Sequence, residues 1–162
     1  MLQWELRTIG GFNMDHTDII KIRLFCGYNQ EKLSYLLGYS QSALSKIEVG
    51  TNPLNDKTKA DLLDLLKIKK ADKITAFEFK INAFNNIRNK TLISNMHKVI
   101  GMSLRQFAKA TNLSYQLLQT RRKKNWTEEE TIRANKYFSE WIDGEIKNIQ
   151  EEIEFVKNFE II

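Results

Sequence analysis

Apolar residues recur along most of the chain at intervals of three and four, the spacing that lines them up on one side of an α-helix. Ile19, Ile22, Phe25 and Cys26 predict a first helix over residues 18–27, and Leu33, Leu36 and Leu37 a second over residues 30–37 with all three facing inward. Gly38 ends the second helix, and Ser40 is suited to cap a third over residues 41–48. In that helix Leu44 and Ile47 face inward, and Gly50 stands where a left-handed residue commonly terminates a helix. After "TNPLND" the run "KTKADLLDLLKI" predicts a further amphipathic helix. Ile74, Phe77, Ile81 and Phe84 then carry a helical stripe through residues 73–87.

Towards the end of the chain, Thr127 and Glu130 have the spacing of a capping box and open one long helix. Phe138, Ile142, Ile146, Ile149, Ile153 and Val156 follow in near-heptad register, which suits either a dimerisation seam over residues 128–160 or a helix folded back onto the cores. The segment "MLQWELRTIGGFNM" is the one stretch without a placement. Either Trp4, Leu6 and Ile9 contribute to a core, or the biological start is Met14. With one Pro, seven Gly and weak strand signals throughout, the expected class is all-α with short turns.

A repeat is visible when the sequence is shifted by 74 residues: "IRLFCGYNQEKLSYLLGYSQSAL" falls on "MHKVIGMSLRQFAKATNLSYQLL", residues 96–118. Gly27 meets Gly101, Ser40 meets Ser114 and Leu44 meets Leu118. Ile22, Phe25, Cys26, Leu33 and Tyr39 meet Met96, Val99, Ile100, Phe107 and Leu113. Gly38 meets Asn112, and these two residue types best tolerate left-handed backbone. Two related three-helix cores are expected.

Composition narrows the function classes. A hydrophobic share of 42% with 28% charged residues is ordinary for a globular protein, and no apolar run is long enough to span a membrane. No secretory signal opens the chain, so the expected location is the cytoplasm. The lone Cys26 sits on an apolar helical face, where a buried, inert thiol is expected. The net charge of +5 is unevenly spread: residues 127–162 hold ten acidic and four basic residues, so the first 126 carry +11. A basic body suits a polyanion, because each neutralised phosphate releases condensed counterions. His16 and His97 are isolated in sequence, no helix carries paired metal ligands, and there is no phosphate loop or nucleophile elbow. Asp61 and Asp64 share a helical face without a partner to make them an acid/base pair. Neither an enzyme nor a cofactor is expected.

The stretch "NQEKLSYLLGYSQSALSKIEVG", residues 29–50, joins two short helices by a tight turn, and the second presents small polar side chains outward. With its "NQ", "LLG", "SQS", "LSKIE" and "G" in that order, the region of residues 18–67 resembles the XRE-type helix-turn-helix family of lambda-repressor and Cro-like DNA-binding proteins. The resemblance covers about 50 of 162 residues. It implies a five-helix fold whose recognition helix, residues 41–48, enters the major groove of double-stranded DNA. Gln41, Ser42, Ser45 and Lys46 would read bases. Asn29, Gln30, Asn52 and Lys57 would contact phosphates, with Gln30 also steadying Gln41. Arg23 and Glu48 match the positions of an internal ion pair.

A diverged second copy over residues 92–126 departs from that pattern: His97 replaces Arg23, Arg122 replaces Glu48, and Arg121 replaces Ile47. Its outward positions become Tyr115, Gln116, Gln119 and Thr120, followed by Arg121, Arg122, Lys123 and Lys124. These form either a second DNA site or a degenerate packing and interaction surface. The implied organisation is an arm over residues 1–14, the helix-turn-helix domain over 15–70, a connecting helix with the diverged second domain over 71–126, and the long helix over 127–162. The expected function is sequence-specific transcriptional regulation by tandem helix-turn-helix domains. Two alternatives stand beside it: an antitoxin-like or adaptor protein holding a protein partner through its second domain and long helix, and an architectural protein binding DNA by charge alone.

Overall fold

The computed structural model describes residues 14–120 and 126–160, and all regular structure within them is helical. The helices are α1 (His16–Phe25), α2 (Gln30–Leu37), α3 (Gln41–Glu48), α4 (Asp56–Lys90), α5 (Ile93–Val99), α6 (Leu104–Thr111), α7 (Tyr115–Thr120) and α8 (Glu128–Asn158). Two compact units divide the described residues, one comprising 14–72 with 158–160, the other 73–157. The division falls inside α4, which runs unbroken through both the "KTKADLLDLLKI" run and the stripe of residues 73–87. No Gly or Pro lies between Pro53 and Gly101, so nothing in that interval interrupts helical hydrogen bonding.

Local chemistry sets the helix ends. Asp15 caps α1: its carboxylate accepts from the Thr17 and Asp18 amides, and Asp18 accepts in return from the Asp15 amide. This capping box starts α1 two residues earlier than the apolar pattern predicted. Asn29 caps α2 and Ser40 caps α3 through side-chain oxygens that accept from Lys32 and Ala43. Thr127 and Glu130 form the expected reciprocal cap before α8.

In the first unit the core is built on Ile19, Ile22, Leu33, Leu44 and Leu62, each fully shielded from solvent. Cys26 is buried, and the Phe25 ring stacks on Phe159 with centroids 4.1 Å apart. Leu36, expected inward, is instead 44% exposed, while Ser34 is buried. Helix α2 packs directly on α3, and the Ser34 hydroxyl is satisfied within α2 by donating to the Glu31 carbonyl at 2.9 Å. Tyr39 ties the turn between them to α4, its hydroxyl bonded to Thr58 Oγ1 at 2.7 Å and accepting from Asn55 Nδ2 at 3.0 Å.

The second unit has its own core of Ile93, Met96, Phe107, Ala108, Leu113 and Leu118, completed by Ala134, Phe138 and Ile142 of α8. The heptad-like positions of α8 are therefore used inside one chain: Phe138, Ile142, Ile153 and Val156 are buried and Ile146 and Ile149 half-buried.

Backbone structure recurs at the 74-residue offset. Helices α2 and α6 coincide residue for residue, and α5 matches the last seven residues of α1. Gly27 and Gly101 both have φ of 70°, and Gly38 (72°) is matched by Asn112 (53°), the one described non-glycine residue with positive φ. Bonds recur as well: Tyr28 N to Arg23 O pairs with Met102 N to His97 O, and Tyr39 N to Ser34 O with Leu113 N to Ala108 O. Buried Ile19, Leu33, Ser34 and Leu44 correspond to buried Ile93, Phe107, Ala108 and Leu118.

Candidate nucleic-acid interface

Helix α3 has two unlike sides. Leu44, Ile47 and Glu48 are buried, while Gln41, Ser42 and Lys46 are exposed and Ser45 half-buried. Positions 41, 42, 45 and 46 are separated by one and four residues and so form a single outward face. At its start the Ser42 and Ser40 hydroxyls lie 3.4 Å apart. At its end the Lys46 carbonyl accepts from the Thr51 amide (2.9 Å), the Asn52 amide (3.1 Å) and the Thr51 hydroxyl (2.9 Å). The loop carrying Asn52 is thereby folded back onto α3. Lys57 is exposed in the first turn of α4 and Asn29 is exposed at the start of α2.

Behind α3 lies a knot of charge. Glu48 Oε1 accepts from Arg23 Nε at 2.7 Å, and its Oε2 accepts from Arg23 Nη2 at 3.2 Å and from Gln30 Nε2 at 2.7 Å. Arg23 also donates to the Tyr28 carbonyl at 3.3 Å. One carboxylate thus joins α1, α2 and α3, and fixes how far α3 stands from the helices behind it. The Gln30 amide, assigned by resemblance to a phosphate and to Gln41, is here turned to Glu48.

Two features of this surface escaped sequence reasoning. Tyr35 is 78% exposed, with Lys32 Nζ 5.7 Å from its ring centroid. With Asn29 and Glu31 they line a shallow hollow along α2. An aromatic facing outward on a helix one turn from a lysine was the available signal.

In the second unit Tyr115 is half-buried and Gln116 and Gln119 are exposed. Gln119 Nε2 donates to the Tyr115 hydroxyl at 2.6 Å, and the Arg105 guanidinium lies 5.2 Å from the Tyr115 ring centroid. Arg105 was not singled out from sequence, because its relation to Tyr115 arises only when α6 and α7 pack together. Leu104 stands at the position of Gln30 and His97 at that of Arg23, so the knot is not rebuilt from those residues. Arg121, Arg122, Lys123 and Lys124 lie outside the described residues.

Among the described residues no group of acidic, His or Cys side chains could hold a metal ion, and no helix is long and apolar enough to cross a membrane. Comparison of the chain with protein-family models, with curated proteins and with solved structures found no match.

Proposed function

We propose that this chain is a sequence-specific double-stranded-DNA-binding transcriptional regulator of the XRE helix-turn-helix type, with α3 as its recognition helix. The observation that carries the reading is the construction of α3. A polar face of Gln41, Ser42, Ser45 and Lys46 is backed by a buried face locked by Leu44, Ile47 and the Glu48 knot. A helix about 10–12 Å across with its side chains fits a major groove about 12 Å wide. The residue types fit base edges: Gln can pair bidentately with adenine, Lys donates to guanine, and Ser serves either. Asn29, Asn52 and Lys57 flank that face as phosphate contacts that set register. Gln30 acts through Glu48, as a positioning residue for α3.

The recurrence of turn dihedrals, caps and core positions at the 74-residue offset supports a tandem arrangement, in which one chain carries two heads of related build. Selection of the full-length protein against a random duplex library at fixed salt tests the function. Enrichment of a defined site, bound about 1,000-fold or more tightly than scrambled duplex, is the expected result. Binding of all duplexes alike would replace direct readout by charge-driven association, and no duplex binding would move the partner-holding reading ahead.

A further inference from the structure

Charge is shared unevenly between the two sets of helices. Through Glu78 the chain carries eleven Lys and Arg against ten Asp and Glu, whereas residues 79–127 carry ten Lys and Arg and no Asp or Glu. That interval contains α5, α6 and α7. Helical surfaces ordinarily intersperse both signs, as α8 does with Arg133 beside Glu129 and Lys147 beside Glu151. On α6, Arg105 and Lys109 are exposed one turn apart on the same face, and among the described residues neither has an ion-pair partner.

The first set differs at the same place: the position of Arg105 is held there by the exposed carboxylate of Glu31. Arg105 is also pre-set, its guanidinium resting over the Tyr115 ring, so less side-chain freedom is lost when an anion binds. Two of the groups on α7 that could address bases are turned to one another, Gln119 donating to the Tyr115 hydroxyl, while Gln116 stays exposed. The described part of α7 carries no Lys or Arg.

We infer that the outward face of α6, through Arg105 and Lys109, grips the phosphodiester backbone of duplex DNA and supplies affinity without sequence preference. The division of labour rests on the DNA-binding reading above, with α3 selecting the site and α6 holding the duplex. A phosphate contact leaves a signature that base reading does not: each one steepens the fall of log K with log salt by about 0.9.

The test measures Kd for a selected and a scrambled duplex from about 50 to about 300 mM KCl. It uses the full-length protein, the Arg105→Gln/Lys109→Gln variant and an equal-charge control, Lys136→Gln/Lys147→Gln on α8. The inference predicts that the α6 variant loses affinity for both duplexes by the same factor, with a slope shallower by about 2 and the selected-to-scrambled ratio unchanged. The control keeps the wild-type slope, and Arg105→Lys, which retains the charge, keeps most of it. An unchanged slope in the α6 variant overturns the inference, as does an equal loss in the control. Tighter binding of an RNA duplex of the same length overturns the assignment to DNA. A wild type without site preference would instead sink the sequence-reading role of α3, while the slope comparison on scrambled DNA still decides the role of α6.

Discussion

Replacing Glu48 by glutamine tests how much of α3's placement depends on one carboxylate. The Glu48 side chain is 3% exposed and accepts three hydrogen bonds, one from Gln30 and two from Arg23, whose guanidinium donates to each of the two carboxylate oxygens and has nothing to accept with. A glutamine keeps one acceptor oxygen and turns an NH2 group towards one of those donors, so at least one contact becomes donor against donor. Hydrogen bonds to charged groups contribute about 1.5–3 kcal/mol each, and breaking a buried pair from one side costs about 3–5 kcal/mol. The Arg23 side chain retains 16% exposure, so water recovers part of the loss. The expected cost of Glu48→Gln is therefore about 2–4 kcal/mol, read from urea denaturation followed by far-UV circular dichroism. Arg23→Met alone should cost a similar amount by leaving the carboxylate with only Gln30, whereas Arg23→Met/Glu48→Met should recover most of it, since apolar replacement of both partners is often near neutral. A cost below about 0.5 kcal/mol for Glu48→Gln would refute the claim that this knot holds α3.

Other consequences follow from single residues. Gly50 has φ of 80° and an added Cβ would come within 3.3 Å of the His16 ring, so Gly50→Ala should cost about 2 kcal/mol in urea denaturation. Gly38→Ala meets open space and should cost about 1 kcal/mol, with Gly38→Asn cheaper still because Asn112 already adopts that conformation. Phe107 is fully buried in the core of the second unit, so Phe107→Ala should cost about 3–5 kcal/mol, again by denaturation. The Thr17 hydroxyl, with backbone amides of Thr17 and Asp18, holds the Asp15 carboxyl below its ordinary range. The associated stability is complete above that range and is lost as pH falls through the lowered value. Thr17→Ala should move the Asp15 titration upward in carboxyl-detected NMR, and an unmoved titration would contradict the cap geometry.

Much of the local structure could be read from residue chemistry. Ser40, Gly38 and the Thr127/Glu130 pair mark helix ends because capping satisfies backbone groups within a few residues, which sequence displays directly. The 74-residue offset was visible because the turns need the same left-handed tolerance twice, met once by Gly38 and once by Asn112. Tertiary packing decided the rest. Leu36, expected inward, is exposed while Ser34 is buried, a difference that helical periodicity alone does not display. Both helical segments after Pro53 were read correctly as helical, but their fusion into α4 depends on the absence of an interrupting residue, a weaker signal than the presence of one. On the candidate site, the outward face of α3 was set by periodicity and the Arg23–Glu48 pairing by resemblance to a family. The turning of Gln30 to Glu48, and of Arg105 over Tyr115, required neighbours from separate helices. The heptad-like spacing of α8 had suited two roles equally, and burial of Phe138 and Ile142 in the second unit's own core assigns those side chains to packing.

The central claim is that α3 reads DNA sequence through its outward face, and the most direct measurement is the ratio of Kd for scrambled and selected duplex at one salt concentration, for wild type and Gln41→Ala. The account predicts a wild-type ratio of about 1,000 or more, reduced about 10- to 100-fold by Gln41→Ala, the size of one lost bidentate base contact, with the fold unaltered by circular dichroism. A wild-type ratio near one, or a ratio that Gln41→Ala leaves unchanged, would contradict it.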